Sequence, residues 1–179
     1  LLVAVQCQAQ RNPMVEVTVA KRGTITIELF QKDAPKTVAH ILALVKSGFY
    51  NGMVFHRVVP DFVVQCGDPT SKKWSDADIL AKDDGQGGTD GLGSGGSGKT
   101  IPFETNSQTH EEGTLGIALS GPRTNTGDSQ WFINLKPNHR LDGDYCVFGK
   151  VVKGMDVVKR IKRGDRITKM AVVEPARRK

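Results

Sequence analysis

The chain has 179 residues, 38% of them hydrophobic and 25% charged. That suits one soluble domain with a real core and excludes collagen-like, coiled-coil and wholly disordered organisation. No apolar run reaches the ~18 residues that a bilayer-spanning helix needs, so no membrane span is expected, and the net charge of +6 is concentrated from Lys153 onward, where ten Lys/Arg face three Asp/Glu.

Residues 1–13 open Leu-Leu-Val-Ala-Val and turn polar. They read either as an N-terminal extension or as the end of a signal peptide, with Cys7-Gln8-Ala9 as a small-x-small cleavage site. The reading leans to export, periplasmic or secreted, over a cytoplasmic location.

The domain is expected to run from 14 to 174. Val15, Val17 and Val19 alternate with polar neighbours, Lys21-Arg22-Gly23 turns the chain, and Thr24 to Phe30 alternates again, a β-hairpin by its period of two. Asp33 is the expected N-cap of a helix, with Pro35 in its first turn. Val38, Ile41, Leu42 and Val45 form the apolar stripe and Gly48 is the C-cap. Short apolar runs follow at Val54–Val59, Phe62–Cys66, Thr114–Leu119, Gln130–Leu135 and Cys146–Val152. A second helix is expected from about Met155 to Arg163, and a last strand at Ile167–Val173. The βαβ alternation of a parallel sheet is absent, so the sheet is expected to be mainly antiparallel, closed into a barrel whose ends two helices cover. Residues 175–179 form a basic tail. The excess of charge there fits either a solvated face or a patch for an anionic partner. No aromatic residues interleave with it as single-strand binding requires, so no nucleic-acid partner is expected.

Cys66 and Cys146 stand in apolar runs. They read as small buried residues, and a disulfide between them is left open. No Cys-x-x-Cys pair or His pair at metal-ligand spacing occurs, so no metal is expected. A glycine-rich insert occupies about 71–98. Within it, Gly93 to Thr100 matches the pattern of a phosphate-cradling P-loop. That chemistry needs a strand before the glycines and a helix after them. Here Gly-Gly-Thr-Asp-Gly precedes and Pro102 follows, so a nucleotide site is a weak alternative. Asp83-Asp84-Gly85 is an equally weak Ca²⁺ signal, without the spaced carboxylates of an EF-hand.

The most unusual run is Val54 to Asp68, which places Arg57 and Gln65 inside apolar strands joined by a Pro-Asp turn. Each polar residue alone fits an edge-strand ion pair; together they fit a polar strip on one shared face. Gln130 and Phe132 share a face in the same way. This run, with Gly67-Asp68, Ser129-Gln130-Trp131-Phe132-Ile133, Leu141-Asp142-Gly143 and Val147 to Val151, resembles the signature of cyclophilins, the peptidyl-prolyl cis/trans isomerases. Ala34 to Ala39 before Gly48-Phe49-Tyr50 is similar to the first helix of that family. The resemblance extends from about Met14 to Val173 and implies a mainly β fold, a closed eight-stranded antiparallel barrel capped by two α-helices.

The resemblance also implies roles. Arg57 matches the catalytic arginine, His56 its neighbour on the strand, and Gln65 and Gln130 the polar residues that orient arginine and peptide. Phe62, Phe132 and Leu141 match the pocket for the proline ring, and Ala118 the start of the opposite wall. The chain departs from the family at Leu119, where Asn is common, at Arg140, where Trp or His is common, and at Tyr145, where His is common. Two extra residues also fall between Ser120 and Gln130. The implied activity is acceleration of Xaa-Pro bond rotation in protein folding, without nucleophile, metal or cofactor, on proline-containing peptides and unfolded client proteins. A monomer is expected, and weak binding of cyclosporin, because Arg140 replaces the indole on which that ligand leans. The alternative is a proline-peptide binding module with little turnover. Deletion of Ser71–Asp90 is expected to leave the fold intact, since loop length alone costs little.

Overall fold

The computed structural model describes residues 11–81 and 91–174. The signal-like stretch 1–10, the Asp83-Asp84-Gly85 cluster and the basic tail lie outside the described residues. Eight strands appear where the sequence alternates or runs apolar: β1 (Met14–Val19), β2 (Gly23–Leu29), β3 (Arg57–Val59), β4 (Val63–Cys66), β5 (Thr114–Ile117), β6 (Trp131–Asn134), β7 (Val147–Lys153) and β8 (Ile167–Val173). They form one antiparallel sheet in the order β3-β4-β6-β5-β7-β2-β1-β8. The sheet curls into a half-barrel around Trp131, Phe55, Tyr50 and Phe148, all fully buried. Trp131 meets Tyr50 and Phe55 edge-on, with centroids 6.2 and 6.1 Å apart, the favoured offset for aromatic quadrupoles.

No ladder joins the end strands β3 and β8. Between them stand an isolated Val54–Arg166 bridge and four backbone hydrogen bonds: Phe55 N–H to Asp165, Ile167 N–H to Met53, Gly52 N–H to Ile167 and Gly164 N–H to Phe55. The expected strand at 54–59 therefore begins only at Arg57.

Among the described residues there are three α-helices rather than the expected two. Helix α1 (Pro35–Lys46) buries Val38, Ile41 and Val45 of the expected stripe and leaves Leu42 partly buried; its C-cap is Ser47 rather than Gly48, which follows with φ +71°. Its N-terminus is not capped by Asp33. Glu104 reaches across instead and accepts from the Lys36 and Thr37 amides (2.9 and 2.7 Å), so a distant carboxylate supplies what free helical N–H groups require. Asp33 accepts from Gln108 Nε2 at 2.8 Å. Helix α3 (Met155–Lys159) is shorter than expected, because the chain then turns to hand the Gly164 amide and the Arg163 guanidinium to the carbonyls of Phe55 and His56.

The extra helix, α2 (Asp76–Ala81), follows a 3₁₀ turn at Pro69–Lys73 inside the supposed loop. Ser75 Oγ accepts from the Asp78 amide at 3.1 Å while the Ser75 amide donates to the Asp78 carboxylate, a reciprocal cap. Ile79 then packs with Val54 and Leu92 in a small second core, all three essentially unexposed. Ser71, also buried, accepts from the Val54 amide and donates to Asp68 O. The dispensability expected of 71–90 thus does not extend to residues 71–81. Ile79→Ala is expected to lower unfolding free energy by about 2–4 kcal/mol, the usual cost of emptying a buried isoleucine site. Urea denaturation checks this, and a change under 1 kcal/mol would mean that the second core adds nothing.

Candidate active site

Strand register assembles the site. Arg57 on β3 pairs with Gln65 on β4, Gln65 pairs with Phe132 on β6, and Phe132 pairs with Gly116 on β5. Four consecutive strands therefore contribute one residue each to a single cross-strand row. The residues two steps along each strand share its face by the period of two.

The row opens into a groove of about 290 Å³ lined by Arg57, Phe62, Val63, Gln65, Ala118, Leu119, Phe132, Leu141 and Tyr145. Of the residues the sequence singles out, eight line this groove. Gln130 stands beside it in an adjoining cavity of about 350 Å³, which shares Gln65, Ala118 and Leu119 and is walled further by the glycine-rich segment. Arg140 is exposed at the rim, its guanidinium carbon 4.6 Å from the Phe62 ring centroid; that of Arg57 stands 5.6 Å from the same ring. His56 is not in the groove. It is fully buried behind Arg57, and burial pushes its imidazole pKa down to about 4.

Arg57 is held by a relay. Its Nη1 donates to Gln65 Oε1 (3.3 Å), Gln65 Nε2 donates to Gln130 Oε1 (3.0 Å), and Gln130 Nε2 donates to the carbonyls of Gly93 and Gly95 (2.8 Å each). Each amide thus has its oxygen and nitrogen assigned by its neighbours.

Phe132 is fixed on three sides. His110 stacks on it, 5.7 Å between centroids and 17° between planes, and Tyr145 meets it edge-on at 6.3 Å. Beneath it lies Gly116, where a Cβ would come within 2.2 Å of Phe132 Cζ. Only glycine lets the ring lie against that strand, and the ladder with β7 shifts register there, the local bulge that glycine in a strand often marks. His110 is itself fully buried. Its Nε2 donates to Tyr145 O and its Nδ1 accepts from Asn134 Nδ2, both at 3.0 Å, the pattern of the neutral ring, and burial lowers its pKa.

Sequence reasoning passes over Gly116, His110 and Asn134. The glycine interrupting an apolar strand is a legible signal. His110 and Asn134 carry none, since their contacts join residues far apart in the chain.

The P-loop alternative fails on geometry. Among the described residues, no strand or helix adjoins Gly93–Thr100: Gly91 and Leu92 before it, and Pro102 to Asn106 after it, form neither. The Gly93 amide donates to buried Asp68, while Ser97 Oγ and the Gly98 amide donate to Asp128. Amide groups that would cradle a phosphate already hold carboxylates, whose charge would repel one. The glycines have a packing reason: a Cβ at Gly95 or Gly96 would fall 2.2 or 2.4 Å from the Asp68 or Asp128 carboxylate. Cys66 and Cys146 are buried free thiols, with burial pushing the Cys146 pKa up to about 12, so neither is a nucleophile.

An apolar pocket walled by Phe62, Phe132 and Leu141 thus lies beside one anchored guanidinium. Comparison with known proteins gives the class. A family model described as cyclophilin type peptidyl-prolyl cis-trans isomerase/CLD matches residues 14–177. A peptidyl-prolyl cis-trans isomerase of Synechococcus elongatus is 38% identical, over 87% of this chain and 94% of its own. Peptidyl-prolyl cis-trans isomerase B of Bacillus subtilis is 41% identical over 79% of this chain and 85% of its own. The crystal structure of a Cryptosporidium parvum cyclophilin type isomerase, determined in the presence of the dipeptide Ala-Pro, superposes with a TM-score of 0.71 at 26% identity. It covers 90% of this chain and 99% of that one. The chain belongs to the cyclophilin-type peptidyl-prolyl cis-trans isomerase family, and its activity is isomerisation of Xaa-Pro peptide bonds.

A buried neutral histidine has a consequence for stability. His56 folds with a pKa below its unfolded 6.5, so the unfolded chain takes up protons first as pH falls. Its contribution is complete above about pH 6.5 and is lost between 6.5 and 4, on the order of 3 kcal/mol in all. His110 acts in the same direction. Unfolding free energy measured in urea between pH 7.5 and 4.5 is expected to fall less steeply in His56→Gln than in the parent. Equal slopes would show that His56 takes up its proton in the fold as readily as in the unfolded chain.

Proposed function

We propose that Arg57 stabilises the twisted amide of an Xaa-Pro bond whose proline ring sits against Phe62, Phe132 and Leu141. The observation that carries this reading is the seating of Arg57 in the same groove as those three apolar side chains, anchored through Gln65. The barrier to rotation, roughly 18–20 kcal/mol, comes from amide resonance. Rotation breaks that resonance and leaves a lone pair on the proline nitrogen. A fixed guanidinium donates to that lone pair only when the bond is twisted, so it binds the transition state better than either planar isomer. Arginine suits the task because it stays protonated and presents a planar fork of donors.

The other residues serve that contact. Gln65 and Gln130 hold the guanidinium plane, Gly116 and His110 hold the Phe132 ring, and Ala118, Leu119 and Tyr145 form the wall along which the flanking peptide lies. His56 supports the strand from behind and exchanges no proton with substrate. Binding of proline-containing peptides and unfolded clients follows from the pocket. The Ala-Pro dipeptide present with the Cryptosporidium parvum relative supports it. We infer further that the sheet closes into a barrel along 52–55 and 164–167, which the bridge and backbone bonds there support. A monomeric state fits the two exposed large hydrophobics among the described residues, Val152 and Val172. Export rests on residues 1–13 alone.

Arg57→Ala is expected to lower kcat/KM for a short Xaa-Pro peptide by two to three powers of ten, the ~2.7–4 kcal/mol of losing one preorganised donor. Arg57→Lys is expected to restore only part, and Phe132→Ala to weaken turnover by loosening the pocket. Circular dichroism confirms that each variant is folded, and His56→Gln retains far more activity than Arg57→Ala. Full activity in folded Arg57→Ala defeats the mechanism. Cyclosporin is expected to inhibit weakly and Arg140→Trp to improve it; tight inhibition of the parent would show that Arg140 is not in the ligand's path.

A further inference from the structure

We propose that Arg140 makes this enzyme select Xaa-Pro bonds that have an acidic side chain within two residues of the proline. The inference rests on the proline site proposed above and adds a substrate class to it.

Charge at the groove mouth is unbalanced. None of the groove-lining side chains is acidic, and one is the Arg57 guanidinium. The carboxylates around the rim are each engaged elsewhere: Asp61 with Lys136 (2.7 Å), Asp144 with Arg123 (2.8 Å), and Asp142 with the His110 amide and His139 (2.7 and 3.0 Å). Arg140 pairs with none of them. It is exposed in the 3₁₀ turn His139–Leu141, lying over the Phe62 ring, with its charge open to solvent on one side. A cation over an aromatic face is held in place by the ring quadrupole, so this guanidinium is positioned although no ion pair among the described residues fixes it.

Distance makes the selection local. Phe62 is one wall of the proline pocket and carries the Arg140 guanidinium 4.6 Å from its centroid. A peptide extends about 3.3–3.6 Å per residue. A side chain one or two residues from the bound proline therefore falls within reach of Arg140, and beyond that the Debye length of ~8–10 Å screens the charge. A carboxylate there forms a charge-assisted, forked contact; an ammonium is repelled. Leu141, the next residue, keeps its apolar role in the pocket, so the charge selects the substrate without entering the chemistry.

The test uses tetrapeptides that differ only in one residue flanking proline, on either side: Ala, Glu or Lys. Turnover is followed by NMR exchange, which avoids the sequence bias of a coupling protease, and Kd by chemical-shift titration of the same peptides. At low salt the parent is expected to favour Glu over Lys by about threefold to tenfold on at least one flank, the worth of an exposed pair gained and a repulsion avoided. The spread should shrink toward unity near 0.5 M NaCl. Arg140→Gln is expected to level the series and Arg140→Glu to invert it, in kcat/KM and in Kd alike. A series unchanged in Arg140→Gln, or Lys peptides that match Glu peptides in the parent, overturns the proposal. Absence of turnover of the Ala peptide would instead strike the isomerase mechanism, and the Kd series would still decide the role of Arg140.

Discussion

The site depends on strand register above all. Arg57, Gln65, Phe132 and Gly116 lie in one row because three successive ladders pair each with the next. Side chains in a strand alternate between faces, so a slip of one residue at any of the three junctions would send its residue to the opposite face. Inside the curl, Trp131, Val64 and Ile133 occupy the intervening positions and are fully buried. Burial on one face therefore enforces the row on the other: the same hydrophobic pattern that forms the core keeps arginine and phenylalanine in the groove.

The polar relay behind Arg57 is a second consequence of that arrangement. Gln65 and Gln130 are linked side by side, and the chain of hydrogen bonds ends on two carbonyls of the glycine-rich segment. That segment is itself held by Asp68 and Asp128 from the two strand ends nearest to it. A stretch that looks like a flexible linker in composition is instead what anchors the Arg57 guanidinium through the two glutamines. In the proposed mechanism, preorganisation of this kind lets a single guanidinium lower the barrier without rearranging as the bond twists.

Much of this was legible in the amino-acid order. Alternation located the strands, the Val38-Ile41-Leu42-Val45 stripe located α1, and two polar residues in apolar strands pointed to the groove. Three things were less visible. Helix α2 hides in a glycine-rich neighbourhood, although Ser75-Asp76-Ala77-Asp78 has the form of a capping box. The cap of α1 comes from Glu104, 68 positions away, which no local pattern reveals. The depth of His56 was also invisible: its neighbour Arg57 reaches the groove while the imidazole turns inward, as adjacent residues of an extended chain must.

The seam between 52–55 and 164–167 has a bearing on how this protein behaves among other chains. A sheet edge is a template for any extended segment that meets it. Here β3 is three residues long, and the outward amides of Ile167 and Met170 are taken by Met53 O and Asn51 Oδ1. Arg166 adds a charged side chain across the same gap, donating to Gly52 O and Trp74 O. A sheet whose β3 edge is three residues long, and whose facing amides on β8 are taken beside a charged side chain, offers an extended segment of another chain little to pair with.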